Sequence, residues 1–132
     1  MKYKIKGEWD TEPDEAVWID GETGYVCEAR RSRIGAWYGC VRLPENHILN
    51  DDKLQTEDFD LEVHGGVTFF DKKEDDFYWI GFDCAHEFDI LPTFPIIQQR
   101  SDLITYKNLD YVKEECKKLA KQLKEISSYA VI

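Results

Sequence analysis

The alternation of apolar and polar residues predicts a series of short strands in the first two thirds of the chain. Residues 2–6 alternate lysine with apolar side chains, and a short apolar run at 16–19 follows an acidic turn. Residues 24–30 and 36–43 predict two further strands on either side of RSRIG, in which Gly35 can adopt a positive φ. This pattern is typical of antiparallel hairpins.

A second alternating segment follows a polar stretch. Residues 45–58 are mostly polar and predict a loop, and residues 59–64 then read FDLEVH. In an extended chain Phe59, Leu61 and Val63 would point to one side and the acidic residues between them to the other. We therefore expect a strand there, with one side turned toward the core.

Two aromatic runs with a polar stretch between them predict a further hairpin. Residues 67–70 read VTFF and residues 77–82 read FYWIGF, with DKKEDD between them. If all of DKKEDD is loop, the two flanking phenylalanines face each other and one face of the hairpin is continuously apolar. The opposite face then pairs Thr68 with Trp79, Gly66 with Gly81, and His64 with Asp83. The double glycine at 65–66 can host a bulge that shifts this register.

The last third of the chain predicts one amphipathic helix. Apolar residues recur at spacings of three and four between residues 108 and 126, and Asn108 is a good N-cap. Together with the strands, this predicts an α+β fold: mostly antiparallel hairpins, with the helix on one sheet face, in a single domain over residues 1–132. The apolar stripe could instead pack on a second copy, which leaves a homo-oligomer open.

Charge limits the partners of the chain. The sequence has 17 basic and 27 acidic residues and a formal net charge of -10. Binding along a nucleic-acid polymer relies on basic residues that neutralise phosphates, so this class is disfavoured. Of the 5 arginines, 4 lie between residues 30 and 42, so Arg30 and Arg42 are candidates for binding a small anionic ligand. The alternative is a solvated hairpin tip.

The cysteines and the hydropathy indicate a compartment. Four cysteines stand far apart without a C-x-x-C motif, which favours free thiols in a reducing cytosol. The first residues lack the apolar run of a signal peptide, and no segment is long and apolar enough to span a membrane. We expect a cytoplasmic protein without a membrane partner.

The candidate chemistry is concentrated in HGGVTFFDKKEDDFYWIGFDCAH, residues 64–86, which holds two of the three histidines. A histidine oriented by a carboxylate can act as general base or acid near neutral pH. The predicted catalytic residues are His64, His86 and Asp83. The predicted ligand-binding residues are Trp79 as a stacking wall, Gly66 and Gly81 as bare backbone, Thr68, Arg30, Arg42 and His47.

Two alternatives use the same residues. In the first, the glycines leave room for another part of the protein and serve packing, not a ligand. A divalent metal such as zinc or manganese could be held by His64 and His86 with Asp83 or Asp89. No cofactor is firmly indicated.

The strings HGGVTF, GFDCAH and TYKNLDYVKEECKKLAKQL resemble those of a family of small bacteriophage and prophage proteins, over residues 24–125. The resemblance implies the cytosol of an infected bacterium. In size and acidity the chain is similar to phage anti-defence proteins that cleave or sequester host nucleotide immune signals. This similarity is an analogy and not a motif match.

Three functions remain open on this basis. The first is hydrolysis of a cyclic dinucleotide or related phosphodiester, with His64 and His86 as base and acid. The second is a sponge that binds such a small nucleotide-like ligand without turnover. The third is an acidic phage protein that occupies a host protein.

Overall fold

A computed structural model describes residues 3, 6–51, 56–93 and 104–129 of the chain. The predicted strand at 2–6 falls largely outside these residues. Short 3-10 helices lie at Glu8–Thr11, Ile48–Asn50 and Thr56–Asp58, the last two within the predicted loop at 45–58.

The described residues form an antiparallel sheet of five strands. The strands are β1 (Glu15–Ile19), β2 (Val26–Arg31), β3 (Trp37–Arg42), β4 (Phe69–Lys72) and β5 (Tyr78–Asp83), in the spatial order β1-β2-β3-β5-β4. The two strands predicted at 24–30 and 36–43 are therefore confirmed, and the apolar run at 16–19 forms a third strand. The turn between β2 and β3 is confirmed as well, because Gly35 has a φ of 86° and donates its N–H to the carbonyl of Ser32.

The predicted C-terminal helix is α1 (Leu109–Tyr129). Asn108 is its N-cap, because its Oδ1 accepts the backbone N–H of Tyr111 at 2.9 Å. Glu12 Oε2 accepts the N–H of Leu109 at 2.6 Å, which places a second acidic group at the positive end of the helix. The buried stripe consists of Leu109, Val112, Cys116, Leu119, Ala120 and Leu123.

The helix packs on the centre of the sheet, and the fold is α+β as predicted. Gly39 in β3 permits the close approach, because a Cβ there would lie 2.7 Å from Cys116 Sγ and 2.8 Å from Phe82 Cζ. Cys27, Ala29 and Val41 are fully buried on the same side of the sheet. The other side of the sheet, which we call the open face, is not covered by the helix.

The predicted register of the β4–β5 hairpin is wrong. Phe70 pairs with Ile80, three residues beyond the predicted Phe77, and Phe69 pairs with Gly81. The polar stretch is only partly loop, since β4 continues to Lys72. The turn is closed by Lys73, whose N–H donates to the carbonyl of Phe77 at 3.1 Å.

The odd shift reverses which side chains share a face. Thr68 is not opposite Trp79, Gly66 is not opposite Gly81, and His64 does not face Asp83. Trp79 pairs instead with Asp71 and Gly81 with Phe69. Physically, the register follows the geometry of the turn, which the apolar pattern of the flanking runs does not contain.

The predicted strand at 59–64 is not a strand, although its apolar side is correct. Phe59, Leu61 and Val63 pack against the core as expected. The backbone is bonded to α1 instead of a neighbouring strand, because Gln122 Oε1 accepts the N–H of Glu62 and Gln122 Nε2 donates to its carbonyl, each at 2.7 Å. The alternation of apolar and polar residues therefore identified the buried side of this segment, but not the helix to which its backbone is bonded.

Gly39→Ala should destabilise the protein by about 1–3 kcal/mol, because its methyl group would overlap Cys116 and Phe82 beneath the helix. Urea unfolding followed by circular dichroism measures the loss. Gly21→Ala is the matched control, since a Cβ at Gly21 meets nothing within 4 Å. Equal stability of the two variants would contradict the close packing of α1 on β3.

Candidate functional site

His64 lies between the helix and the segment that follows β5. Its Nε2 is 2.9 and 2.8 Å from the two carboxylate oxygens of Asp89, and its Nδ1 is 2.8 Å from the hydroxyl of Tyr111. Since an ionised carboxylate only accepts, Nε2 donates to Asp89, while Nδ1 and the Tyr111 hydroxyl are hydrogen-bonded to each other. Both ring nitrogens of His64 are therefore bonded within the protein.

Asp89 is the buried centre of this cluster, with its side chain 1% exposed. Besides His64, it accepts the backbone N–H of His86 at 2.9 Å and lies 3.0 Å from the ammonium of Lys107. Burial by itself would raise the pKa of Asp89, but these three donors outweigh it and hold the pKa below its usual value. The carboxylate is ionised and fully engaged.

His86 and Asp83 lie next to each other, at the edge of the cluster. His86 Nε2 is 3.1 Å from Asp83 Oδ1, but the two atoms are not aligned for a hydrogen bond, and this nitrogen is buried without another partner in the described parts of the chain. The ring packs on Gly65, where a φ of 68° and the lack of a side chain make room for it. The three predicted catalytic residues are thus close in space, but Asp83 contacts His86 and not His64.

The metal alternative receives no geometric support. His64 and Asp89 are in direct contact, and the rings of His64 and His86 are 5.8 Å apart between centroids. Among the residues that the structure describes, no group of three or more histidine, cysteine, aspartate or glutamate side chains could hold a metal ion. The contacts of Asp89 are made to protein donors.

A groove crosses the open face of the sheet. Glu28, Cys40, Gly81 and Phe69 form one row across β2, β3, β5 and β4. Because Cys40 is small and Gly81 has no side chain, the row is low in the middle. We call this depression the open-face groove. It contains a cavity of about 370 Å³, whose lining includes Tyr38, Thr68, Phe69, Lys73 and Asp83.

Lys73 crosses the groove from the β4–β5 turn. Its Nζ lies 4.3 Å from the centroid of the Trp79 ring and 2.9 Å from Glu28 Oε1 on β2. Lys73 and Tyr38 also line a second cavity, of about 500 Å³, which contains Glu28 and Trp79. The lysine side chain therefore lies between two adjoining cavities.

The cations of the open face are bound to acids. Arg30 Nε lies 2.9 Å from the same Glu28 oxygen that Lys73 contacts, and Arg42 lies 3.7 Å from Asp75. Asp75 also accepts the indole N–H of Trp79 at 3.3 Å. The predicted anion-binding arginines, Arg30 and Arg42, are thus beside the groove with their charge already paired.

The other predicted ligand-binding residues fall into two groups. Thr68 lines the cavity of about 370 Å³, and Trp79 lines the adjoining cavity but is 4% exposed beneath Lys73. His47 is buried: its Nε2 donates to the carbonyl of Leu123 at 2.7 Å and its Nδ1 accepts the N–H of Leu49. Burial lowers the pKa of His47, which keeps it neutral and structural.

The two glycines proposed as a bare patch have different environments. A Cβ on Gly81 would lie 2.6 Å from Cys40 Sγ, so this glycine allows β3 and β5 to approach closely. A Cβ on Gly66 would meet nothing within 4 Å, but its φ of 83° explains the glycine. The packing alternative therefore describes Gly81 better than the ligand-binding one.

Sequence reasoning missed the residues that complete both sites. Tyr111 and Lys107 stand beside His64 and Asp89, while Lys73 and Glu28 meet across the groove. The pairs are far apart in the chain, so spacing alone gave no signal. Lys73 lies in the predicted loop, directly after β4, and nothing in the local sequence indicated that its side chain would reach Glu28.

All four cysteines are free and buried, as expected. Burial raises the pKa of the Cys40 thiol, at the floor of the groove, to about 11, although nearby Lys73 acts in the opposite direction. Cys40 is therefore protonated and a poor nucleophile at neutral pH. In the described ranges, no helix has the length and apolar character needed to cross a membrane.

Comparisons with protein-family models, curated proteins and solved structures find no match to this chain. The resemblance to phage proteins is not tested by them. The geometry of the groove and of the histidine cluster carries the functional argument.

Asp89→Asn should lower the free energy of unfolding by about 3 kcal/mol at pH 7, because it removes the buried charge that pairs with the ammonium of Lys107 and accepts from His64 Nε2. The lowered pKa of Asp89 implies that its contribution is complete above the unfolded value of about 3.9 and is lost as pH falls through the folded value. Urea unfolding of both proteins between pH 7 and pH 2 measures this. A difference that stays constant down to pH 2 would contradict the assignment.

His64→Ala should destabilise the protein by about 2 kcal/mol, because it removes one of the donors to buried Asp89 and the partner of the Tyr111 hydroxyl. His86→Ala is the control, since that ring is 36% exposed and should cost less. Thermal unfolding compares them, and equal losses would argue against the buried role of His64.

Proposed function

We propose that the protein is a binding protein that holds a small ligand in the open-face groove and releases it unchanged. The observation that carries the proposal is the groove itself: it has aromatic walls and charged ends, while both ring nitrogens of His64 are bonded away from it. This corresponds to the second of the three functions considered from sequence.

The size and lining of the groove support a small ligand. The cavity lined by Tyr38, Phe69 and Asp83 measures about 370 Å³, within the range of roughly 300–1,000 Å³ typical of ligand sites. Tyr38 and Phe69 provide apolar ring surface, and Phe69 is 38% exposed. Asp83 supplies a carboxylate and Thr68 a hydroxyl, and a few polar groups of this kind orient a ligand.

The arrangement of the histidines argues against hydrolysis. A general base must reach the proton that it removes, but both nitrogens of His64 bond to Asp89 and Tyr111. His86 Nε2 is buried against Gly65. The Cys40 thiol, with a pKa of about 11, is not a nucleophile at neutral pH. Turnover would require these contacts to be broken first.

The phage resemblance adds a ligand class to be tested. A nucleobase could stack on Tyr38 or Phe69 with a phosphate near Lys73, as a sponge for a nucleotide immune signal requires. The net charge of -10 and the acids around the groove weigh against a polyanionic ligand. The same acidity supports the third function, occupation of a basic surface on a host protein in the bacterial cytosol.

A ligand screen tests the proposal. Purified protein is incubated with cyclic dinucleotides, nucleosides and aliphatic amines, and its melting temperature is measured with each. We expect at least one compound to raise the melting temperature, as a ligand of the folded state must, and to be recovered intact by chromatography. Recovery of a cleaved product would overturn the proposal in favour of hydrolysis, and no shift with any compound would reject a small-molecule site.

Phe69→Ala locates the binding. Loss of the exposed ring should lower the affinity for the compound found in the screen by about tenfold, as measured by calorimetry. Phe88→Ala is the matched control, because Phe88 is also exposed, at 53%, and does not line the groove cavity. Equal affinities of the two variants would place the ligand elsewhere.

A further inference from the structure

The open-face groove already holds an alkylammonium group, which belongs to the protein. The Lys73 ammonium lies over the face of Trp79, at 4.3 Å from its centroid, and 2.9 Å from the carboxylate of Glu28. An aromatic face and a carboxylate are the two groups that bind ammonium ions best in proteins. Phe69 adds a second ring, at 5.9 Å from the same nitrogen.

The position is built into the sheet and does not depend on the lysine alone. Trp79 is 4% exposed, and its indole N–H is held by Asp75 at 3.3 Å. Glu28 is 9% exposed and is fixed by its bond to Arg30. Between them, Cys40 and Gly81 keep the floor low, so an aliphatic chain can lie across the strands.

The charges of the groove require a cation at this position. The acids around the two cavities are Glu28, Glu74, Asp75 and Asp83, and their basic counterparts are Arg30 and Lys73. If Lys73 swung out to solvent, Glu28 would remain nearly buried with Arg30 as its partner. A buried carboxylate that loses a cation is costly, so a cation from another source would take the position.

We propose that the groove binds a primary alkylammonium ligand, and that Lys73 occupies the ligand's position until it is displaced. The inference rests on the proposed function and names its ligand class. Lys73 suits this role because it extends from the turn at the end of β4 on a flexible stem whose ammonium is readily hydrated. The overall charge of -10 adds a field that attracts such a cation.

The lysine lowers the apparent affinity of the groove, because a ligand binds only the fraction of molecules in which Lys73 is displaced. Lys73→Ala removes the competitor and leaves the Trp79 face and Glu28 in place. We expect this variant to bind n-butylammonium about tenfold more tightly than the wild type, by calorimetry at low ionic strength.

Two matched variants separate the effect of emptying the groove from the effect of changing the net charge of the protein. Lys73→Met keeps a chain in the groove but removes the ammonium, so it should bind n-butylammonium no more tightly than the wild type. Lys72→Ala removes the same charge from the neighbouring residue, which pairs with Tyr78 away from the groove, and should also match the wild type. If Lys72→Ala gains as much affinity as Lys73→Ala, the effect is one of net charge and the proposal fails.

A double variant at Glu28 and a second amine complete the test. Adding Glu28→Gln to Lys73→Ala should abolish the gain in affinity, and an undiminished gain would overturn the site. Nα-acetyl-lysine methylamide carries the same ammonium on a peptide unit. Tighter binding of n-butylammonium supports a free amine, and tighter binding of the lysine derivative supports a lysine of a partner; both belong to the proposed class.

A measurement on the wild type completes the test, and a variant is needed only to assign one resonance. Saturating n-butylammonium should shift the indole N–H resonance of Trp79, identified by its absence in Trp79→Phe, and n-butanol should not. No shift with the amine would reject the proposal. If a nucleotide binds in a Phe69-dependent manner and the amine does not, this inference fails while the proposed function stands; if no compound binds, both fail.

Discussion

The contact between α1 and the centre of β3, at Gly39 and Cys116, is the constraint on which the rest of the structure depends. It lets one helix bury Cys27, Ala29 and Val41 beneath its apolar stripe. An antiparallel sheet can expose its second face to water. Here that face carries acidic, basic and aromatic side chains, among them Arg30, Tyr38 and Asp83 in one row across three strands. The open-face groove is a consequence: with its apolar side used by the helix, the sheet has a polar side available for a ligand.

Buried carboxylates then fix the segments that the helix and sheet do not hold by themselves. Glu12 accepts from Tyr106, Trp37 and the first N–H of α1, and it pairs with Arg31, whose side chain is 1% exposed. Asp89 does the same for the segments around residues 64, 86 and 107. In both places one acid is satisfied by several donors, as a buried charge requires. Such contacts define a unique arrangement of loops that apolar packing would leave loose.

Local sequence patterns predicted the helix and several strands of this fold. The hairpin register and the contacts of the candidate sites depend on residues that those patterns do not include. The helix, its N-cap at Asn108 and the strands around Gly35 depend on neighbouring residues. The hairpin register depends on a turn in which Asp75 bonds to Phe77 and Trp79, information that the flanking apolar runs do not carry. Likewise His64 bonds to a residue 25 positions away, and Lys73 to one 45 positions away. The sequence analysis singled out the histidines, but it did not identify Tyr111 and Lys107 beside His64 and Asp89.

The histidine cluster and the groove are joined at Asp83. This carboxylate lines the groove, lies 3.1 Å from His86 Nε2 and accepts the N–H of Ala85. The backbone N–H of His86 in turn donates to Asp89, the buried acid that His64 contacts. The ring of His64 and the backbone of His86 are thus both bonded to Asp89, next to the segment that carries Asp83 to the end of the groove. Such fixed contacts fit the proposed binding site, since a ligand site needs its few polar groups held in place.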